Sequence, residues 1–254
     1  MVKFGIWCSL PELTSLGMHK FGTLEAHDYA TGVRELTETL PSAYANTSAL
    51  ALIAEHHGKP GVAALLRNKF PTKPNARSGD MGEILATAYL NEECGYVVGP
   101  SRLTERDHQE WAMKGDDVLA ARIVNGSDLY IIKGEAKSKV KLSAATVREA
   151  RQGLARNNEM PSPHSLSQFA TRLIGTPNQA IGEAVLDAQI SSGLRPHQIG
   201  HLMFLFTSSD PSAHVSADLT TYQGSVRQLI ITLRVQEHQK FINDSYEGVV
   251  AGAP

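Results

Sequence analysis

The 254-residue chain carries only two cysteines, Cys8 and Cys94. Two widely separated thiols make neither a disulfide framework nor a zinc site, and they fit a reducing compartment. An excess of one charge is also missing: 24 Lys and Arg against 26 Asp and Glu leave a formal net charge of -2. The molecule is not a polycation, so any nucleic-acid binding must rest on local clustering of basic residues. No run approaches the roughly 18 apolar residues that span a bilayer. The opening Met1-Val2-Lys3-Phe4-Gly5-Ile6-Trp7 meets Pro11 and Glu12 without a continuous apolar stretch, which argues against a signal peptide. The expectation is a cytoplasmic protein with no membrane partner.

Internal repeats, low-complexity segments and a Walker motif are absent from the sequence, so ATP hydrolysis by the chain itself is not expected. The segment His197-Gln198-Ile199-Gly200-His201 spaces two histidines four apart, but it lacks the glutamate of a zinc-protease helix and contains a glycine. His56-His57 reads as a surface helix end. Ser162, Ser165 and Ser167 lie in a polar stretch with prolines and read as a loop, not as nucleophiles.

What is present describes an α/β protein. The hydrophobic share of 42% and the charged share of 20% are ordinary for a globular chain of this length. The first 75 residues read as a mainly helical accessory region, with Thr47 capping a helix that stops near Gly58 and Pro60. The turn-rich Pro71-Thr72-Lys73-Pro74-Asn75-Ala76-Arg77 marks the boundary to a second region, residues 76–254. There Ser78 is expected to cap a helix that carries Glu83, followed by a short strand at Tyr96-Val97-Val98. Two strands, 117–124 and 128–137, flank Asn125-Gly126-Ser127, a turn signal that predicts an antiparallel hairpin. A helix from Ser143 to about Leu154, a helix over 179–191, strands at 201–207 and 228–235, and a terminal helix over 236–246 complete the pattern. This order implies a mixed β-sheet core flanked by helices.

The hairpin also carries the chemistry. Asp116 and Asp117 begin its first strand, and Glu135 and Lys137 end its second. Strand side chains alternate faces, so Glu135 and Lys137 share one, and the turn returns Asp117 beside them. Two carboxylates and an ammonium at one sheet end suit phosphodiester hydrolysis. Carboxylates hold Mg²⁺ or Mn²⁺, which activates water, and a lysine stabilises developing negative charge. Glu83, on the preceding helix, is placed to complete the metal environment. Residues 133–156 carry Lys133, Lys137, Lys139, Lys141, Arg148, Arg151 and Arg156 against Glu135 and Glu149, a basic surface for a DNA backbone. The bland alternative is a turn followed by an ion pair on a solvated face.

Gly115-Asp116-Asp117 followed by Gly134-Glu135-Ala136-Lys137 resembles the D…(D/E)xK signature of the PD-(D/E)xK restriction-endonuclease-like superfamily. Ser78-Gly79-Asp80-Met81-Gly82-Glu83 and Phe241-Ile242-Asn243-Asp244-Ser245-Tyr246-Glu247 narrow the likeness to the HamA family, the nuclease subunits of Hachiman antiphage systems. The resemblance covers about residues 78–247. It implies a restriction-endonuclease-like fold and a Mg²⁺-dependent DNA endonuclease. It also implies a superfamily-2 helicase partner, HamB, that restrains the nuclease until infection or DNA damage releases it. By position it makes Asp117 and Glu135 metal ligands, Lys137 the catalytic lysine and Glu83 the helix acid, with Gln152 as a following polar helix residue. Asp116 competes with Asp117 for the metal. A stand-alone restriction or repair endonuclease, and a non-catalytic regulatory subunit of a helicase, remain alternatives at this level.

Overall fold

The computed structural model describes residues 2–106, 108–110 and 115–251 of the chain. Strands β1 (Cys8–Ser9), β2 (Thr14–Leu16) and β3 (His19–Ala26) precede helices α1 (Tyr29–Tyr44), α2 (Thr47–Lys69) and α3 (Pro74–Glu92). The hairpin β4 (Val118–Val124) and β5 (Asp128–Ser138) follows, then α4 (Ala144–Ala155), α5 (Pro163–Leu173) and α6 (Gln179–Asp187). β6 (Ile199–Thr207), α7 (Ser212–Thr221), β7 (Arg227–Arg234) and α8 (His238–Ala251) complete the order. The strands form one sheet ordered β1-β3-β7-β6-β5-β4, with β2 also beside β3. β4 runs antiparallel to β5, whereas β5, β6, β7 and β3 are mutually parallel. The expected mixed α/β core is therefore present.

Period-two alternation builds the layers. Along β6, which is buried from end to end, Leu202, Phe204 and Phe206 enter the core shared with α1, α3 and α8, while Met203 and Leu205 pack with α4 and α7. Leu119, Ala121, Leu129 and Ile131 of the hairpin pack with α5 and α6 on that second side. Among the described residues no helix is long and apolar enough to cross a membrane.

Several local expectations change. The first 75 residues are mainly helical, as read, but they also supply β1, β2 and β3, and β3 pairs with β7. Leu24, Leu36 and Leu66 share one core with Phe204 and Ile231, so both regions bury the same apolar surface. Asn46, not Thr47, caps α2, and Gly58 at φ 61 leaves the helical conformation, so the expected stop near Gly58 and Pro60 is a break between two helical segments of α2. Ser78 does not cap α3: Pro74 opens the helix, and the Glu110 carboxylate accepts from the Thr72 and Lys73 amides just before it. Ser162 is a helix cap and not part of a long loop; its hydroxyl accepts from the Ser165 amide and Pro163 opens α5. The hairpin turn holds, with Asn125 at φ 50 and Gly126 at φ 81. Tyr96-Val97-Val98 reduces to one bridge between Val97 and Ala121.

Candidate active site

Pairing of Val118 with Gly134 is the last step of the hairpin ladder, yet β5 continues to Ser138. β5 thus outruns β4, and beyond Gly134 this edge has no strand partner among the described residues. The Asp117 side chain fills this position, its Oδ2 accepting from the Ala136 amide at 3.2 Å. Glu135 and Lys137 project from the α4 side, and Lys137 Nζ donates to Glu135 Oε1 at 2.7 Å. Glu83 arrives from α3 on the other side. Asp117 stands between the two groups.

Close approach of α4 shapes Glu135. A Cβ on Gly153 would overlap the Glu135 carboxylate, so this glycine leaves the space the carboxylate occupies. Burial and the nearby Asp117 raise the Glu135 carboxyl above its usual range, and Lys137 opposes the rise. Glu83 is pushed up to about 8 by burial; Arg102 pulls it down, while Asp117 and Asp80 add to the increase. Such shifts mark carboxylates packed together with little water, a common property of functional sites.

Arg102 is the residue that the sequence reading missed. Its Nη2 lies 2.9 Å from Glu83 Oε1 and 3.3 Å from Asp117 Oδ1, and its Nε donates to Glu83 Oε2 at 3.0 Å. The segment bearing it has no periodic signature and precedes the hairpin by sixteen residues, so neither alternation nor a motif could have found it. Gly153 left one signal, a glycine in a helix where alanine is favoured by about 1 kcal/mol.

The structure also separates the two adjacent aspartates. Asp116 turns away: Oδ2 accepts from the Ser162 amide at 2.8 Å at the start of α5, and Oδ1 lies 3.7 Å from Lys133 Nζ. Lys133 is buried and donates to the carbonyls of Leu154, Arg156 and Met160. It is an internal tie and not part of a basic surface. Arg151 is likewise committed inward, at 2.6 Å from Asp218 and stacked over Tyr222, with Gln228 accepting from it. Lys139, Lys141, Arg148 and Gln152 are exposed. His201 serves the core, hydrogen-bonded to the Glu159 carbonyl and to Gln228.

Among the described residues no three acidic, histidine or cysteine side chains converge closely enough to hold a metal ion by themselves. Glu83, Asp117 and Glu135 instead stand with two internal cations, Arg102 and Lys137. The donors are all oxygen, which suits a hard divalent ion. Mg²⁺ takes one or two carboxylates and keeps several waters, so Asp117 and Glu135 make an adequate protein share of its shell.

Comparison with known proteins agrees with the sequence resemblance. The HamA family model matches residues 10–249, nearly the whole chain. A Hachiman protein HamA of Bacillus cereus is 24% identical over 178 residues, which is 70% of this chain and 62% of that protein. The chain thus spans a little under two thirds of the relative's length. The match runs through β3, α1 and α2 as well as through the acidic cluster, and on that extent the chain belongs to the HamA family.

Proposed function

We propose that the chain is a Mg²⁺- or Mn²⁺-dependent deoxyribonuclease, the effector of a Hachiman-type antiphage system. The observation that carries this reading is the meeting of Asp117, Glu135 and Lys137 where β5 outruns β4. Asp117 and Glu135 hold the ion, with Glu83 nearby as a further acid. When bound, the ion supplies Lewis-acid polarisation of the phosphoryl oxygen and lowers the pKa of a water. Lys137 places a positive charge beside Glu135, where it orients the attacking water and stabilises charge developing on the phosphate. Exposed Lys139, Lys141 and Arg148 extend the positive surface from the end of β5 along α4, where they meet the DNA backbone. Family membership supports the defence role. In this reading a superfamily-2 helicase partner, HamB, restrains the nuclease until infection or DNA damage.

The test is nicking of supercoiled plasmid in Mg²⁺ by the purified chain, freed of the helicase that restrains it in this reading. Glu135→Gln is expected to lower cleavage by at least about a hundredfold, since it removes one of two proposed ligand charges. Undiminished cleavage by that variant would move the chemistry elsewhere. Phage protection that survives the same change favours the non-catalytic reading, in which the chain only regulates a helicase.

A further inference from the structure

A guanidinium occupies the space between Glu83 and Asp117. Three contacts of 2.9 to 3.3 Å tie it there, and together they engage both Glu83 oxygens and Asp117 Oδ1. The other Asp117 oxygen is held by the Ala136 amide. A cation set between two carboxylates is what a divalent ion would itself be. Bringing such an ion to Asp117 on this side requires the guanidinium to leave, because the two charges cannot share the same oxygens without strong repulsion.

The arginine is delivered by a strap. Residues 101–106 cross from α3 to α5, with the Ser101 hydroxyl accepting from the Leu103 amide. Arg106 donates to Asp80 Oδ2 at 2.7 Å on α3, three residues before Glu83. Glu105 pairs with Arg172 of α5 at 2.7 Å. Arg106 and Glu105 hold the strap at both sides, so Arg102 is presented to the acids by a fixed backbone.

Its fit is incomplete, and this suggests exchange. Arg102 Nη1 is buried without a hydrogen-bond partner among the described residues. An unsatisfied buried donor costs free energy that withdrawal recovers. A cavity of about 370 Å³ adjoins the ion pair, lined by Arg102, Glu83 and Asp117 together with Ser42, Thr87 and Gln168. The side chain has both space and polar groups to receive it.

We infer that Arg102 is an internal counter-cation that competes with the divalent ion for Glu83 and Asp117 and so sets the metal affinity of the site. The inference rests on the metal-dependent reading above, but it concerns occupancy and not cleavage. With the guanidinium in place, one positive charge is shared by the two acids without metal. Displacement of Arg102 into the adjoining cavity frees their oxygens for the ion.

The experiment is Mn²⁺ binding to the purified full chain, followed by calorimetry and by loss of the free-ion electron paramagnetic resonance signal. Arg102→Gln is expected to bind Mn²⁺ about tenfold more tightly, the scale of one charge-assisted hydrogen bond. Arg102→Lys, which keeps the charge, is expected to stay near wild type. Arg172→Gln loosens the strap without touching the acids and should tighten binding in the same direction by a smaller factor. Equal or weaker binding by Arg102→Gln overturns the inference. If that variant fails to fold, unchanged affinity in Arg172→Gln overturns it instead. Wild type that binds Mn²⁺ while Arg102→Gln binds no better removes only the inference; absence of binding in every variant removes the metal-dependent reading as well.

Discussion

At the scale of single residues, the Glu83 carboxyl is pushed up to about 8, and Glu135 is also raised. A metal ligand must be anionic, so binding an ion here releases protons, and affinity rises with pH until the carboxyl has titrated. Mn²⁺ affinity is expected to increase across pH 6 to 8 by up to about tenfold per unit for one released proton, then level off. Calorimetry in buffers of different ionisation enthalpy counts that proton directly; a flat profile with no proton release would contradict the assignment. How much of this site was legible in the sequence follows from strand geometry. Glu135 and Lys137 were readable because a strand repeats every two residues, and Asp117 because Asn125-Gly126-Ser127 folds the hairpin back. Asp116 and Asp117 could not be separated, since adjacent residues differ only by which face they take. The Ser162 amide that claims Asp116 opens α5, whose Pro- and Ser-rich start carries the composition of a loop. Lys133 and Arg151 were misplaced for a related reason: a basic side chain reads as surface until its buried carbonyl or carboxylate partners are known.

Among the secondary-structure elements, α4 contributes less by what it carries than by how closely it approaches β5. Gly153 is the point of contact, and a methyl there displaces the flexible end of Glu135 instead of rigid backbone. Gly153→Ala is therefore expected to leave the melting temperature unchanged or slightly raised, because alanine favours a helix interior by about 1 kcal/mol. Mn²⁺ binding and DNA cleavage are expected to fall by about tenfold or more from a misplaced ligand. Loss of stability together with activity would show that Gly153 is a packing residue and nothing else. Elements were legible where their signals were local. The β4–β5 hairpin, α4 behind its Ser143 cap and the buried β6 and β7 all carry such signals. α3 was found but its start was misjudged, because the carboxylate before it comes from Glu110, thirty-eight residues after Thr72. β1 and β2 are two and three residues long and pair with β3, which itself pairs with β7 at the far end of the chain, so no local signal defines them.

For the whole molecule, the sheet order ties the first residues to the last, and the interior records it in buried histidines. His201 and His238 are held down to about 4, by burial first in each case. Their folded values lie below the ordinary 6.5, so the unfolded chain takes up protons first. Stability from each is lost as pH falls from about 6.5 to 4 and is complete above that window. His201→Gln removes this dependence at one site. The stability gap between wild type and variant, measured by urea unfolding, is expected to narrow by about 3 kcal/mol from pH 7 to pH 4. A gap that stays constant with pH would mean that His201 is not kept neutral by the fold. The central claim, however, is that a metal-bearing acid pair and Lys137 at the end of β5 cut DNA. It is tested most directly by Lys137→Ala in the purified full chain without a helicase, assayed for plasmid nicking in Mg²⁺ with Mn²⁺ binding measured on the same preparation. The account expects retained ion binding and cleavage reduced by at least about a hundredfold, the scale of a lost electrostatic stabiliser; cleavage at the wild-type rate would contradict it.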